Sequence, residues 1–279
     1  MYYLTQAQVN NFCDQLHLEE KAPSTIAKYV HDVNAFLSYL SVNTLTKEDG
    51  IAYKQHLLDK GYAVRSVNAV IASLNRFFCF IGAQDCTLKS LRIQRKVYCP
   101  EEKELTKTEY VCLVETAKAQ NNERLALIIQ TICATGIRVS ELEYVTVDAV
   151  RKGEAVVSCK GKIRTVFIVS KLRANLLQYC DFHQIQQGAV FVTRTGMPVS
   201  RMNIWREMKE ICIKADVDPQ KVYPHNLRHL FARTFYDVEK DIVKLADILG
   251  HASVNTTRIY VMTTGEEHRR RMENMRLVI

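Results

Sequence analysis

YPHNLRHLFARTFYDV, residues 223–238, sets two histidines and an arginine among apolar residues that repeat with the period of a helix. Leu227, Phe231, Phe235 and Val238 fall on one face, the pattern of a helix laid against a core. His225 and Arg228, three apart, share a neighbouring face within one turn, and His229 lies one residue round from Arg228. An isolated H-x-x-R is most often a surface or structural pair. The H-x-x-x-H spacing of His225 and His229 also suits a metal, but no carboxylate or cysteine stands in a convincing partner position and Arg228 repels a cation. No metal site is expected.

Three other stretches carry related side chains. In ATGIRVSELEYV, residues 134–145, Gly136 ends one helix and Ser140, or the residues just before it, starts the next. Arg138 therefore sits in a turn, where a guanidinium can reach a ligand beside backbone N–H groups open to an anion. SCKGKIRTV, residues 158–166, places Lys160 at a hairpin tip, followed by Lys162 and Arg164. In ILGHASVNTTRIYVM, residues 248–262, Gly250 reads as a helix terminator and Ser253 as the cap of a new helix carrying Arg258 and Tyr260, with His251 between the two. Singly, these are an ordinary surface arginine, a solubilising turn lysine and one of thirteen tyrosines.

At 279 residues the chain is one large domain or two modest ones, and 47% hydrophobic with 24% charged residues is the composition of an ordered soluble protein. The formal net charge of +8 has the sign expected of a partner for phosphate-rich polymers or anionic surfaces. Its placement says more: residues 1–90 hold eight basic and eight acidic side chains, and residues 91–279 hold 30 and 22. Nine cysteines without a C-x-x-C pair argue against a disulfide framework or zinc and for reduced thiols, mostly small core residues. MYYLTQAQVNNF lacks the features of a signal peptide, and no apolar run approaches the roughly 18 residues that span a bilayer. The expected setting is the cytoplasm, without a membrane partner.

The first part reads as about four helices. They are LTQAQVNNFCDQL; PSTIAKYVHDVNAFLSYL, capped by Ser24 or Thr25; IAYKQHLLDKG, behind Thr46 and Asp49 and closed by Gly61; and one from near Ser66 carrying Val67, Val70, Ile71, Leu74, Phe77, Phe78 and Ile81. Between Leu88 and Leu105 no period holds and Pro100 cannot continue a helix. Arg92, Arg95 and Lys96 in this linker either follow a phosphate backbone or are plain solvated charge. Beyond it LTKTEYVCLVETAKA and ERLALIIQTICATG are helical, EAVVSCKGKIRTVFIVS is a hairpin about a Lys-Gly-Lys turn, AVFVT is a short strand, Asn203 to Lys214 is a helix, and the rest is helical.

Taken together and in this order, the four stretches resemble the tyrosine recombinase (phage integrase) family, whose catalytic set is Arg, Lys, His-x-x-Arg, His and Tyr. The match runs through ATGIRVSEL with Arg138, CKGK with Lys160, HNLRHLFA with His225 and Arg228, and LGHASVNTTRIY with His251 and Tyr260. The resemblance covers nearly the whole chain. The fold class it implies is mainly α with a small β-sheet: an N-terminal helical bundle in residues 1–90 as a SAM-like, core-binding DNA domain, a linker at 91–104, and a mixed α+β catalytic domain with a C-terminal helix at 105–279. A two-domain, core-site type without an arm-binding domain fits this layout, although the neutral charge of residues 1–90 is a mild departure for a domain that grips DNA.

The resemblance also implies a chemistry. Attack on a phosphodiester builds negative charge on the non-bridging oxygens, so the protein's work is positioning and electrostatic stabilisation. Arg138 and Arg228 are expected to clamp the scissile phosphate with paired hydrogen bonds, in place of metal ions. A tyrosine phenol titrates near 10 and needs help to attack. Tyr260 is the expected nucleophile, His225 its base or proton relay, Lys160 the general acid for the leaving 5′ oxygen, and His251 a hydrogen-bond donor to the phosphate. The 3′-phosphotyrosyl bond conserves the phosphoester, so neither cofactor nor ATP is expected. Further contacts to double-stranded DNA are assigned to Arg95, Lys96, Lys162, Arg164 and Arg258. Relatives act as homotetramers on paired sites, and the free protein is expected to be a monomer or weak oligomer. Met272, Met275 and Val278 in the C-terminal TTGEEHRRRMENMRLVI suit docking on a neighbour or on their own domain. The rival readings are a type IB topoisomerase, which needs no paired site, and a DNA-binding relative without catalysis.

Overall fold

A computed structural model describes residues 2–40, 42–93, 104–159, 162–260, 269 and 272–275. The chain forms two compact units, Met1–Arg95 and Lys96–Ile279.

In the first unit, strand β1 (Tyr2–Tyr3) leads into α1 (Gln6–Leu18) and α2 (Pro23–Tyr39); β2 (Thr44–Leu45), antiparallel to β1, leads into α3 (Lys47–Asp59) and α4 (Val64–Phe80). Thr5 and Thr46 each make reciprocal capping boxes, with Gln8 and Asp49, satisfying N–H groups that a helix start otherwise leaves open. Helix α2 starts earlier than its hydroxyl residues suggest: Ala22 is the cap and Pro23 takes the first turn, where a missing N–H costs nothing. Helix α4 likewise starts at Val64 rather than near Ser66. Val9, Phe12, Val33, Phe36, Ile71, Leu74, Phe77 and Phe78 fill the core. Burying each such side chain contributes about 1.5–3 kcal/mol. Asp32, buried among them, accepts from Lys28 and from the Ser73 hydroxyl at 2.7 Å, which ties α2 to α4.

In the second unit α5 (Lys107–Ala119) precedes α6 (Glu123–Thr135), which is buried on nearly every side and is packed by α5 and by α10 (Pro224–Glu239). Between α6 and α10 run a 3₁₀ turn (Val139–Tyr144), α7 (Val147–Lys152), an antiparallel hairpin of β3 (Glu154–Cys159) and β4 (Lys162–Phe167), α8 (Ser170–Phe182) and α9 (Arg201–Lys214). Helices α11 (Ile242–Leu249) and α12 (Val254–Arg258) follow. Helix α8 is absent from the reading above, although Leu172, Leu176, Tyr179 and Cys180 bury one helical stripe. AVFVT is not a strand: Ala189 bridges Thr146 and Val192 bridges Pro198, two isolated contacts without a neighbour long enough for a ladder. Val238 is exposed rather than on the core face of α10. Among the described cysteines Cys86, Cys180 and Cys212 are buried, whereas Cys79 and Cys112 are exposed and are not core residues. No helix among the described residues is long and apolar enough to cross a membrane.

Candidate active site

Helix α6 ends at Gly136, whose φ of +63° is left-handed; a Cβ there would lie 2.5 Å from Phe231 Cδ1 and 2.9 Å from Leu249 Cδ2. Only glycine closes the helix at that spacing. The same device recurs at Gly250, φ +65°, behind α11. The ends of α6 and α11 thus come together beside α10, and Arg228 fills the space between them. It is 1% exposed, and its Nη1 donates to the Gly136 carbonyl and its Nη2 to the Leu249 carbonyl at 2.6 Å. Carbonyls left open at a helix C-terminus, carrying the negative end of the macrodipole, are good partners for a buried cation. Burial and then the charge of Arg138 push Arg228 down to about 10, which still leaves it protonated at neutral pH. Its Nε–H has no acceptor among the described residues.

Arg138 caps the 3₁₀ turn and is 33% exposed. Its Nη1 donates to Glu141 Oε1 at 2.7 Å, and its backbone N–H to Glu141 Oε2 at 2.9 Å. Burial would raise the Glu141 carboxyl, but the hydrogen bonds from Arg138 and the charges of Arg164 and Arg138 outweigh it and hold it below its ordinary value. Glu141 stays an anion with 1% of its surface exposed.

His251, in the turn after Gly250, bridges two elements: its Nε2 lies 3.1 Å from Arg228 Nη2, and its Nδ1 2.8 Å from the Thr257 hydroxyl. A guanidinium only donates, so Nε2 accepts and Nδ1 carries the hydrogen given to Thr257. Burial and then Arg228 push His251 down to about 4, in keeping with a neutral ring. Thr257 is fully buried on α12, one turn before Tyr260.

Tyr260 follows α12 rather than lying in it and is 6% exposed. Its hydroxyl is 3.2 Å from His225 Nε2. The His229 ring stacks on the phenol at 4.0 Å and 19°, the His225 ring meets it edge-on at 5.3 Å, and the His251 ring lies 5.1 Å away. Partial burial and the charges of Arg228, Arg138 and Arg201 lower His225, so its imidazole is neutral and free to accept a proton at neutral pH. A phenol oxygen, a neutral imidazole on it and two guanidiniums nearby suit attack on an anion with an electrophilic centre, such as a phosphodiester.

The sequence model of the phage integrase family matches residues 103–267, and that of the phage integrase N-terminal SAM-like domain matches residues 9–84. The chain belongs to the phage integrase family. The tyrosine recombinase XerA of Pyrococcus furiosus is 29% identical over 279 residues, spanning 97% of this chain and 94% of the relative. XerH of Campylobacter jejuni is 35% identical over 159 residues, 54% of this chain and 45% of the relative. The crystal structure of XerA recombinase superposes with a TM-score of 0.55 at 25% identity, covering 98% of this chain and 99% of that one. A lambda integrase dimer bound to a core site shares the fold at a TM-score of 0.75 and 16% identity, over 94% of this chain and 96% of that one.

Against the integrase set, the structure brings Arg138, His225, Arg228, His251 and Tyr260 into one cluster. Lys160 lies outside the described residues, as do Arg95 and Lys96. The backbone of Lys162 opens β4, and Arg258 is exposed at the end of α12. Arg164 is turned inward: 11% exposed, it pairs with Glu141 at 2.6 Å and donates to the Ile248 carbonyl at 3.0 Å. Met272 and Met275 are exposed; Val278 lies outside the described residues. Glu141 and Thr257 are the members that sequence reasoning passes over, and His229 enters it only as a rejected metal ligand. Glu141 three residues after Arg138 was a usable signal; nothing local marks Thr257.

Proposed function

We propose that this integrase-family chain is a site-specific recombinase that cuts and rejoins double-stranded DNA through a 3′-phosphotyrosyl bond to Tyr260. The observation that carries the reading is the Tyr260 hydroxyl 3.2 Å from the neutral His225 imidazole, beside His251, whose Nε2 lies 3.1 Å from the buried Arg228 guanidinium. His225 takes the phenolic proton as the oxygen attacks phosphorus. Arg138 reaches the non-bridging oxygens from the solvent side, and the unpartnered Nε–H of Arg228 from below. His251 donates to the phosphate from Nε2 in its other tautomer, with Nδ1 then accepting from the Thr257 hydroxyl. Lys160 protonates the leaving 5′ oxygen, and reversal by a new 5′ hydroxyl rejoins the strand. Residues 1–90 and the catalytic unit together grip the core site, through Arg95, Lys96, Lys162 and Arg258 among others, and four chains act on two paired sites. Such a substrate places the protein in the cytoplasm.

The test uses a duplex selected from a randomised pool by binding to the full chain, then nicked so that the cleaved fragment diffuses away. The wild-type chain traps a covalent adduct on it. Tyr260→Phe binds the duplex equally and gives none; an adduct that persists in that variant removes Tyr260 as nucleophile. Efficient relaxation of a supercoiled plasmid lacking the site favours the topoisomerase instead.

A further inference from the structure

Glu141 is one buried anion shared by two cations. Its Oε1 takes Arg138 Nη1, and its Oε2 takes both the Arg138 backbone N–H and Arg164 Nη2. Arg164 reaches it from β4 across 23 residues of sequence and donates at the same time to the Ile248 carbonyl. Its side chain also lies against the turn that carries His251: a Cβ on Gly250 would stand 2.6 Å from Arg164 Cδ.

We propose that Arg164 is a positioning residue for strand cleavage. By sharing the charge of Glu141 it keeps Arg138 available to the scissile phosphate, and by holding the C-terminal end of α11 it keeps His251 in register. The inference rests on the phosphate clamp proposed above. Without Arg164, Glu141 is a buried carboxylate with one oxygen under-compensated, and the guanidinium beside it is that of Arg138. Bidentate pairing then draws Arg138 onto Glu141, and an incoming phosphate must compete with a full carboxylate charge in a medium that screens it poorly. Removing the charge of Glu141 relieves that competition: a glutamine can still accept the Arg138 backbone N–H through its oxygen while releasing the guanidinium.

Arg164→Met, Glu141→Gln and the double variant are compared in the full chain on the selected nicked duplex. A parallel duplex carries a methylphosphonate at the scissile position, which has no charge for a clamp to hold. Arg164→Met is expected to slow adduct formation about tenfold or more without changing duplex affinity. The slowing should largely vanish on the methylphosphonate, and the double variant should be faster than Arg164→Met alone. Inorganic phosphate, titrated by calorimetry, should bind more weakly to Arg164→Met and regain affinity in the double variant. A wild-type rate in Arg164→Met, an equal loss on both duplexes, or a double variant no faster than the single one overturns the proposal and leaves Arg164 a framework residue. If Arg164→Met does not fold, Arg164→Lys, which keeps the charge but not the fork, takes its place. Should the wild-type chain form no adduct, the recombinase reading falls, and the phosphate titration still decides the role of Arg164.

Discussion

Arg228 shows how a single side chain serves folding and chemistry together. Truncating it to methionine leaves the carbonyls of Gly136 and Leu249 without their donor inside the protein, at about 1–3 kcal/mol for each buried group left unpaired. Urea unfolding of Arg228→Met is therefore expected to shift to a lower midpoint, and adduct formation to fall by a further amount of about 2.7–4 kcal/mol in transition-state stabilisation. An unchanged midpoint would mean that the guanidinium is not holding the two helix ends. The histidines make a second prediction at this scale. Burial first, then neighbouring cations and histidines, hold His229 and His251 at about 4, below the ordinary 6.5. Between those values the unfolded chain binds protons that the folded chain refuses, so stability is whole above 6.5 and is lost as the pH falls through 4. The denaturation midpoint should drop on acidification from about pH 7 to about pH 4.5, and His229→Phe, which keeps a flat ring on Tyr260, should show a smaller drop.

At the scale of the element, the site depends on where helices stop. Gly136 and Gly188 both have positive φ, +63° and +77°, but a Cβ at Gly188 meets nothing within 4 Å whereas one at Gly136 collides with Phe231 and Leu249. Gly188→Ala is expected to cost about 1 kcal/mol from backbone strain alone, and Gly136→Ala about 3 kcal/mol or more, because overpacking adds to it. The two are compared by chemical denaturation, and equal costs would show that the close approach of α6, α10 and α11 relaxes easily. The five-residue α12 is too short to persist by itself. The Ser253 cap and the Thr257 bond to His251 hold it, and through it they hold the position of Tyr260.

For the whole molecule, charge is divided unevenly along the chain. Residues 1–90 are neutral, and the net excess of basic side chains belongs to residues 91–279. Part of that excess is spent internally, since Arg228 and Arg164 face carbonyls and Glu141 rather than solvent. DNA affinity should still be strongly salt-dependent, falling about a thousandfold between roughly 50 and 200 mM salt if six phosphates are neutralised. A flat salt response, followed by fluorescence anisotropy on the selected duplex, would argue against a phosphate-dominated interface.

Much of this protein is legible from residue order because helices and caps are local. Thr46, Gly136, Gly250 and Ser253 act on neighbours within four residues, and the apolar period of α4, and of α10 apart from Val238, names the faces that are buried. The Arg, His-x-x-Arg, His and Tyr members of the site are equally visible, each lying in a short recognisable stretch. Packing alone settles what those residues touch: Arg228 lies sealed between two helix ends, Arg164 pairs with Glu141 instead of facing solvent, and His229 stacks on Tyr260. AVFVT has the composition of a strand but no neighbour to ladder with. Periodicity reports which side of an element is apolar. It carries no information about which donor from one element meets which acceptor of another 20 or 100 residues away, and that is set by how the helix ends converge.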